Sequence, residues 1–178
     1  MKGSRILYLL VIALSILGFM AVKSTIKKMQ ESGHEVDKIY LKLNSSFEET
    51  NAILLEMEGS LATDFPKLFD SLQLNSLPEL PEVDGIYVVD FEIFNNNLFV
   101  QIELLEKVDK VLSYFRVHST KNSKEINNYL ESLLDIKIQI ETQTKEYNNR
   151  ARLHNAFIKK FPRNFYSSFF HFQSKPYY

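Results

Sequence analysis

Apolar residues in the first third of the chain recur in steps of four and three, which places them along one side of a helix. Only Thr50 is polar among the positions of this stripe. The pattern predicts a long helix that packs one face against a neighbour. The positions are Val36, Tyr40, Leu43, Phe47, Thr50, Leu54, Met57 and Leu61.

A second stripe with the same spacing predicts another long helix in the last third of the chain. Asn122 and Glu125 are spaced as a capping box at its start, and Pro162 ends it because proline cannot continue helical hydrogen bonding. Rods of roughly 55 Å, at about 1.5 Å per residue, need to pack against one another to be stable. The positions are Ile126, Leu130, Leu133, Lys137, Ile140, Thr144, Tyr147, Ala151, His154, Ile158 and Phe161.

Between the stripes the helical period is lost. Prolines interrupt residues 64–82, and the stretch IYVVDFEIF at 86–94 is rich in β-branched and aromatic residues. This stretch could form a strand, but a lone strand is only marginally stable. The favoured interpretation is an irregular connection over about 64–97.

A third helix is expected to begin near Asn97, at the end of this connection. The polar segment HSTKNS at 118–123 lacks periodicity and is interpreted as the loop before the last long helix. The predicted apolar face of the third helix consists of Leu98, Ile102, Leu105, Val108 and Leu112.

The uncharged run at residues 6–22 predicts a transmembrane helix within a membrane anchor at 1–28. A cleaved signal peptide is the alternative, because Lys2 and Arg5 supply a positive start. The anchor is favoured since Phe19-Met20-Ala21 lacks small residues at alternate positions. Lysines on both sides of the run leave the side of the membrane that holds the rest of the chain unassigned.

The predicted fold class is all-α, with a single N-terminal transmembrane helix followed by an elongated antiparallel bundle of long rods. The bundle domain spans 29–178 and ends in an aromatic tail at 161–178. Packing of this tail on the bundle is favoured over contact with lipid or a partner, because burying each phenylalanine contributes roughly 1.5–3 kcal/mol. The aromatic residues are Phe161, Phe165, Tyr166, Phe169, Phe170, Phe172, Tyr177 and Tyr178.

Charge is unevenly distributed along a chain whose net charge is -1. Residues 31–110 are strongly acidic, whereas 1–28 and 111–178 are basic. This distribution favours pairing of the helices with each other over binding to nucleic acid, which calls for a concentrated basic face. The chain has no cysteine, so disulfides and thiolate chemistry are excluded.

Three residue pairs repeat at intervals of seven: Tyr147-Asn148, His154-Asn155 and Phe161-Pro162. Seven residues make nearly two helical turns, so the first members of the pairs lie on the apolar stripe and the asparagines lie beside it. We expect the asparagines to fix the register between neighbouring helices. A ligand-binding ladder is the alternative.

These pairs, followed by Asn164, Phe170, Phe172 and Pro176-Tyr177-Tyr178, resemble the C-terminal signature of the LemA family. The resemblance covers 122–178 well, although His154 stands where the family has a second tyrosine. It implies a bacterial single-pass membrane protein with an elongated antiparallel helical domain. It implies no known active site.

Neither a catalytic nor a cofactor-binding motif is recognisable in the sequence. The four histidines are scattered, the glycines form no phosphate loop, and paired carboxylates are typical of a solvated face. We therefore expect no cofactor, no metal and no small-molecule substrate. Partners are expected to be the lipid bilayer and another protein or a second copy.

The favoured function is a scaffold or adaptor in the bacterial cell membrane, without catalytic activity. The alternative is an accessory subunit, or a hydrolase-like enzyme whose site forms only on oligomerisation. Activity profiling distinguishes the two.

Overall fold

A computed structural model describes residues 2–72, 91–118, 124–160 and 162–178. All regular structure in these ranges is helical, which confirms the all-α prediction for the described part of the chain. The helices are α1 (Lys2–Asp64), α2 (Pro66–Leu72), α3 (Phe91–Val117), α4 (Lys124–Lys159) and α5 (Arg163–Phe169).

Helix α1 is continuous over 63 residues, a length of roughly 95 Å. Every position of the first predicted stripe is buried, including Thr50, whose hydroxyl donates a hydrogen bond to the Ser46 carbonyl at 2.8 Å. The helix ends at Asp64, and α2 begins at Pro66. The sequence therefore predicted the packed face of α1 correctly.

The N-terminal part of α1 is long and apolar enough to cross a membrane, and it is the one such helix among the described residues. None of its apolar window is buried. A signal sequence passes the same test of length and composition.

Helix α4 agrees closely with the second predicted stripe. Most stripe positions are buried, and Leu130, Lys137 and Thr144 are half-buried. Asn122 and Phe161 lie outside the described residues. The buried positions are Ile126, Leu133, Ile140, Tyr147, Ala151, His154 and Ile158.

Side-chain hydrogen bonds between α1 and α4 show the relative direction of the two helices. His154 Nδ1 lies 3.2 Å from Ser32 Oγ, Arg150 donates to Glu35 at 3.2 Å, and Ser46 donates to Gln143 at 3.1 Å. Residue numbers thus rise along α1 as they fall along α4.

Two amide side chains of α3 form hydrogen bonds to α1, and here the residue numbers of the two helices rise in the same direction. Asn97 donates to the Tyr40 hydroxyl at 2.9 Å, and Gln101 donates to the Asn44 side-chain oxygen at 3.2 Å. Residue numbers therefore rise together along α1 and α3.

The largest apolar core joins α1, α2, α3 and α4. Phe65, at the break between α1 and α2, packs edge-on against Phe115 of α3 with ring centroids 4.9 Å apart. The buried members are Leu43, Phe47, Leu54, Met57, Leu61, Leu68, Leu72, Leu104, Val108, Val111, Phe115, Ile126, Leu133, Ile136 and Ile140.

The prediction of an irregular connection over 64–97 is wrong in two places. Residues Pro66–Leu72 form α2, and α3 begins at Phe91, six residues before the expected start. Phe94 is fully buried in α3, so tertiary packing overrides the strand preference of the FEIF stretch. Residues 73–90, which include Pro78, Pro81 and most of the possible strand, lie outside the described residues.

The predicted face of α3 is also wrong in part. Ile102 is half exposed, and the helix instead buries positions spaced by three and four that begin at Phe94. This face contains Asn97 and Gln101, so counting apolar residues alone favours the adjacent stripe. The buried positions are Phe94, Asn97, Gln101, Leu104, Val108, Val111 and Phe115.

Candidate functional site

Residues 172–178, which we call the return segment, follow α5 and run back along α4. Lys175 lies beside Asn155, and Tyr178 lies beside Asn148, nearly two turns earlier in α4. The return segment thus occupies a groove formed with α1, α3 and α4. It is held there by hydrogen bonds to two asparagines of α4 and by an ion pair with α1.

Asn155 holds the return segment by a pair of hydrogen bonds. Its Nδ2 donates to the Lys175 carbonyl at 2.8 Å, and its Oδ1 accepts from the Lys175 backbone N–H at 2.7 Å. The same Nδ2 lies 2.9 Å from the Tyr177 hydroxyl. A side-chain amide here takes the role that a neighbouring strand has in a sheet.

Asn148 repeats this arrangement with Tyr178. Its Nδ2 donates to the Tyr178 carbonyl at 3.3 Å, and its Oδ1 accepts from the Tyr178 backbone N–H at 2.9 Å. The two asparagines form what we call the asparagine clamp.

The interval of seven residues between the two asparagines of the clamp matches the length of three residues of extended chain. Seven residues of helix advance by roughly 10.5 Å, and three residues of extended chain, from Lys175 to Tyr178, advance by roughly 10 Å. Asparagines that are seven residues apart in the helix therefore lie opposite backbone groups that are three residues apart in the return segment. This match explains the repeat of Asn148 and Asn155.

His154 joins the clamp to α1. Its Nε2 lies 3.4 Å from the Gln173 carbonyl oxygen, which can only accept, so this nitrogen carries the proton. Nδ1 is then free to accept from the Ser32 hydroxyl at 3.2 Å. Burial lowers the pKa of His154, and the neighbouring Lys175 ammonium also lowers it, against the opposing effects of Gln173 and Asp37.

Lys175 forms a buried ion pair with Asp37 of α1. The ammonium lies 2.5 Å from the carboxylate, and the side chains are 4% and 11% exposed. A buried charge that loses its partner is strongly destabilising, so each residue depends on the other. The pair fixes the return segment to α1 as the clamp fixes it to α4.

Tyr178 completes an aromatic cluster with Tyr40, Phe94 and Tyr147. Its ring centroid lies 4.8 Å from that of Phe94 and 5.4 Å from that of Tyr147, both in edge-on contacts. The Tyr178 hydroxyl donates to Gln101 at 2.6 Å. Burial raises the pKa values of Tyr147 and Tyr178.

An open cavity of about 520 Å³ lies between α1, α4 and residues 170–175. His34, His154 and His171 line it together with Asp37. The described residues contain no group of three or more His, Asp or Glu side chains placed to hold a metal ion. The cavity has the size of a small-molecule site, but its two reactive groups nearest the core, His154 and Asp37, are already engaged in structural contacts.

The structure divides the predicted motif between two places. Tyr147, Asn148, His154 and Asn155 meet the return segment, and Phe172 is half-buried beside the cavity. Among the described residues the two asparagines bond to this segment and not to a neighbouring helix, so the expected partner was wrong.

Two further motif residues, Pro162 and Asn164, belong to the turn into α5. Pro162 precedes α5, and the Asn164 side chain accepts from the Phe165 N–H at 2.9 Å within its first turn. Pro162 and Asn164 therefore lie at the start of α5 and take no part in the clamp. Phe161 lies outside the described residues.

A polar layer in the core was missed by sequence reasoning. Asn97 and Gln101 of α3 and Gln143 of α4 are all buried and bond to α1, at Tyr40, Asn44 and Ser46 respectively. These residues, and not the clamp, link the helices at a defined register. The spacing of four between Asn97 and Gln101 was the available signal.

Comparison with known proteins identifies no relative. No family model matches the chain, and no curated protein or solved structure matches it either. The resemblance to the LemA family therefore stays a prediction that rests on the motif residues.

Proposed function

We propose that the protein is a membrane-anchored helical scaffold or adaptor of the bacterial cell membrane. In this proposal α1 crosses the bilayer and continues without a break into an elongated antiparallel bundle. The continuity of α1 from Lys2 to Asp64 is the observation that carries the proposal. It joins the anchor to the bundle as one rigid element.

Burial along α1 supports a membrane-spanning role for its first part. A core helix of a soluble protein would bury its apolar side chains, whereas residues 10–20 are all exposed. Burial begins at Met29, seven residues or roughly 10 Å beyond Val22. Exposed apolar side chains along a whole helix are stable in lipid and unfavourable in water.

Ion pairs between the acidic segment 31–110 and the basic segment 111–178 support the antiparallel bundle. Glu35 of α1 pairs with Arg150 at 3.2 Å, and Asp109 of α3 pairs with Lys137. α4 runs opposite to α1 in this proposal, and α3 runs alongside α1. Part of the charge imbalance in the sequence is thus used in contacts between helices.

A surface of α3 is the proposed binding site for a protein partner or a second copy. Phe99 is 74% exposed and Ile102 is 50% exposed, and both face away from the buried side of α3. A photoreactive residue at Phe99 should crosslink to such a partner in native membranes. The same residue at exposed Glu131 of α4 is the control.

The alternative of an accessory or hydrolase-like enzyme has one observation in its favour, which is the cavity lined by three histidines. Activity profiling of the purified protein tests it. A hydrolytic activity that is lost in both His34→Gln and His171→Gln, two exposed lining residues, would support an enzyme over a scaffold.

Membrane extraction tests the proposed anchor. We expect the protein to stay in the membrane fraction through high-salt and carbonate washing and to keep residues 1–22, as shown by intact mass. Release into the wash, or a mass that lacks the apolar run, would contradict the proposal and favour the cleaved signal.

A further inference from the structure

Helix α5 presents an exposed aromatic surface. Phe165 is 65% exposed, Phe169 is 69% exposed and Phe170 is 45% exposed. Their rings contact one another, with centroids 6.5 Å apart for Phe165 and Phe169 and 5.1 Å apart for Phe169 and Phe170. The three side chains form one continuous patch, which we call the α5 patch. A patch of this kind marks a site of contact with a protein or a membrane.

Part of the α5 patch lies beside the segment of α1 that follows its apolar run. Phe170, His171 and Phe172 share the cavity described above with residues of α1 from Met29 to Asp37. Met29 follows Val22, the last residue of the apolar run, by about 10 Å along the helix. If α1 spans a bilayer, the end of the bundle that carries Phe170 therefore faces it.

Charged residues around the patch fit an anionic lipid surface. Lys159 ends α4 and Lys160 follows it, both with exposed side chains, and Lys23 and Lys28 are exposed on α1. The acidic residues at this level are engaged by other cations, as Glu31 pairs with Lys27, Glu35 with Arg150 and Asp37 with Lys175. Residues 164–174 carry no Asp, Glu, Lys or Arg. An apolar patch bordered by lysines is typical of a helix that lies in the membrane interface.

We propose that α5 lies in the headgroup region of the bilayer that α1 crosses, with the α5 patch inserted toward the acyl chains. This inference rests on the proposed membrane anchor. The lysines contact anionic headgroups, and phenylalanine rings at the interface lie ~5–10 Å into the boundary with the acyl chains. The return segment then leaves the membrane surface and runs back to the asparagine clamp. The bundle is thus attached to the bilayer at two points, α1 and α5, which fixes its tilt.

Tryptophan fluorescence in nanodiscs tests the inference, because the chain contains no tryptophan. Phe169→Trp is introduced into the full chain in nanodiscs that contain phosphatidylglycerol lipids brominated either near the headgroup or deep in the acyl chain. Phe165→Trp is a second reporter from the same patch. Leu14→Trp, in the apolar run, and Leu55→Trp, on α1 far beyond Met29, are the matched controls; both positions are exposed.

We expect both patch reporters to be quenched more strongly by shallow bromines than by deep ones. Leu14→Trp should show the reverse order, and Leu55→Trp should not be quenched by either lipid. Replacing Lys159 and Lys160 by glutamine should weaken quenching of Phe169→Trp without changing that of Leu14→Trp.

The controls separate failure of this inference from failure of the anchor. If Leu14→Trp is quenched and neither patch reporter is, the inference is overturned and the anchor stands. Shielding of Phe169→Trp from aqueous iodide in that case would assign the patch to a protein contact. If Leu14→Trp is not quenched either, the anchor fails and the inference fails with it.

Discussion

Asn148 and Asn155 show why the repeat uses asparagine and no other residue. Each side chain donates to one backbone carbonyl and accepts from one backbone N–H of the return segment. Aspartate lacks the donor, leucine lacks both groups, and glutamine is longer by one methylene. The chemistry of the amide and the spacing of seven are therefore both required to hold an extended segment against a helix.

We expect Asn155→Leu to lower the stability of the protein. The substitution leaves the buried N–H and C=O of Lys175 without partners, and each unsatisfied group costs about 1–3 kcal/mol. A loss of about 2 kcal/mol corresponds to a fall in Tm of about 4–8 °C for a chain of this size. Thermal unfolding in detergent, followed by helical circular dichroism, measures it.

Asn149→Leu is the matched control, because Asn149 is an exposed neighbour on the same helix. Its Tm should stay close to that of the unmodified protein. An unchanged or raised Tm for Asn155→Leu would contradict the clamp and would restore a role between helices.

His154 should make stability depend on pH. Its pKa is lowered in the folded protein, so between that value and the ordinary 6.5 the unfolded chain binds more protons than the folded one. Stability then rises with pH through this window, and it is lost as the pH falls below 6.5. We expect His154→Gln to flatten the dependence of the urea midpoint between pH 5 and pH 8.

The exposed His118 provides the comparison for this titration. His118→Gln should leave the pH dependence as it is in the unmodified protein. The same slope in His154→Gln and the unmodified protein would show that His154 is not the group responsible.

At the scale of the helices, the sequence predicted α1 and α4 well because most of the residues that they bury along their stripes are apolar. The predicted face of α3 lies one stripe away from its buried face, because the polar residues Asn97 and Gln101 occupy core positions. Their side-chain amides donate hydrogen bonds to Tyr40 and Asn44 of α1. The asparagine clamp could not be found from periodicity. An extended segment has no helical pattern, and its partners lie on another element.

Two truncations distinguish the buried face of α3 from the predicted one. Leu104→Ala removes a side chain that is 2% exposed and should cost about 2–5 kcal/mol. Ile102→Ala, on the half-exposed side, should cost less than about 1 kcal/mol because most surface changes are small. Urea unfolding measures both, and the reverse order of cost would contradict the orientation of α3.

At the scale of the whole molecule, α1 connects the apolar run, the return segment and the main core. Its apolar first part lies outside the core, Ser32 and Asp37 hold the return segment through His154 and Lys175, and the stripe beyond them forms the main core. The proposed scaffold depends on this helix being continuous where it leaves the membrane. A flexible joint there would separate anchor and bundle into independent parts.

The distance between two spin labels on α1 tests this continuity most directly. The chain has no cysteine, so Leu17→Cys and Leu55→Cys label two exposed positions without further changes. Across 38 residues of unbroken helix the backbone separation is about 57 Å. The full chain is measured in lipid nanodiscs by pulsed electron paramagnetic resonance. Ser24→Pro is added in a parallel sample to show how a break at the membrane exit appears.

We expect a single narrow distribution of distances near this separation, which Ser24→Pro broadens or shortens. A broad or markedly shorter distribution in the unmodified helix would contradict a continuous α1 and the scaffold built on it.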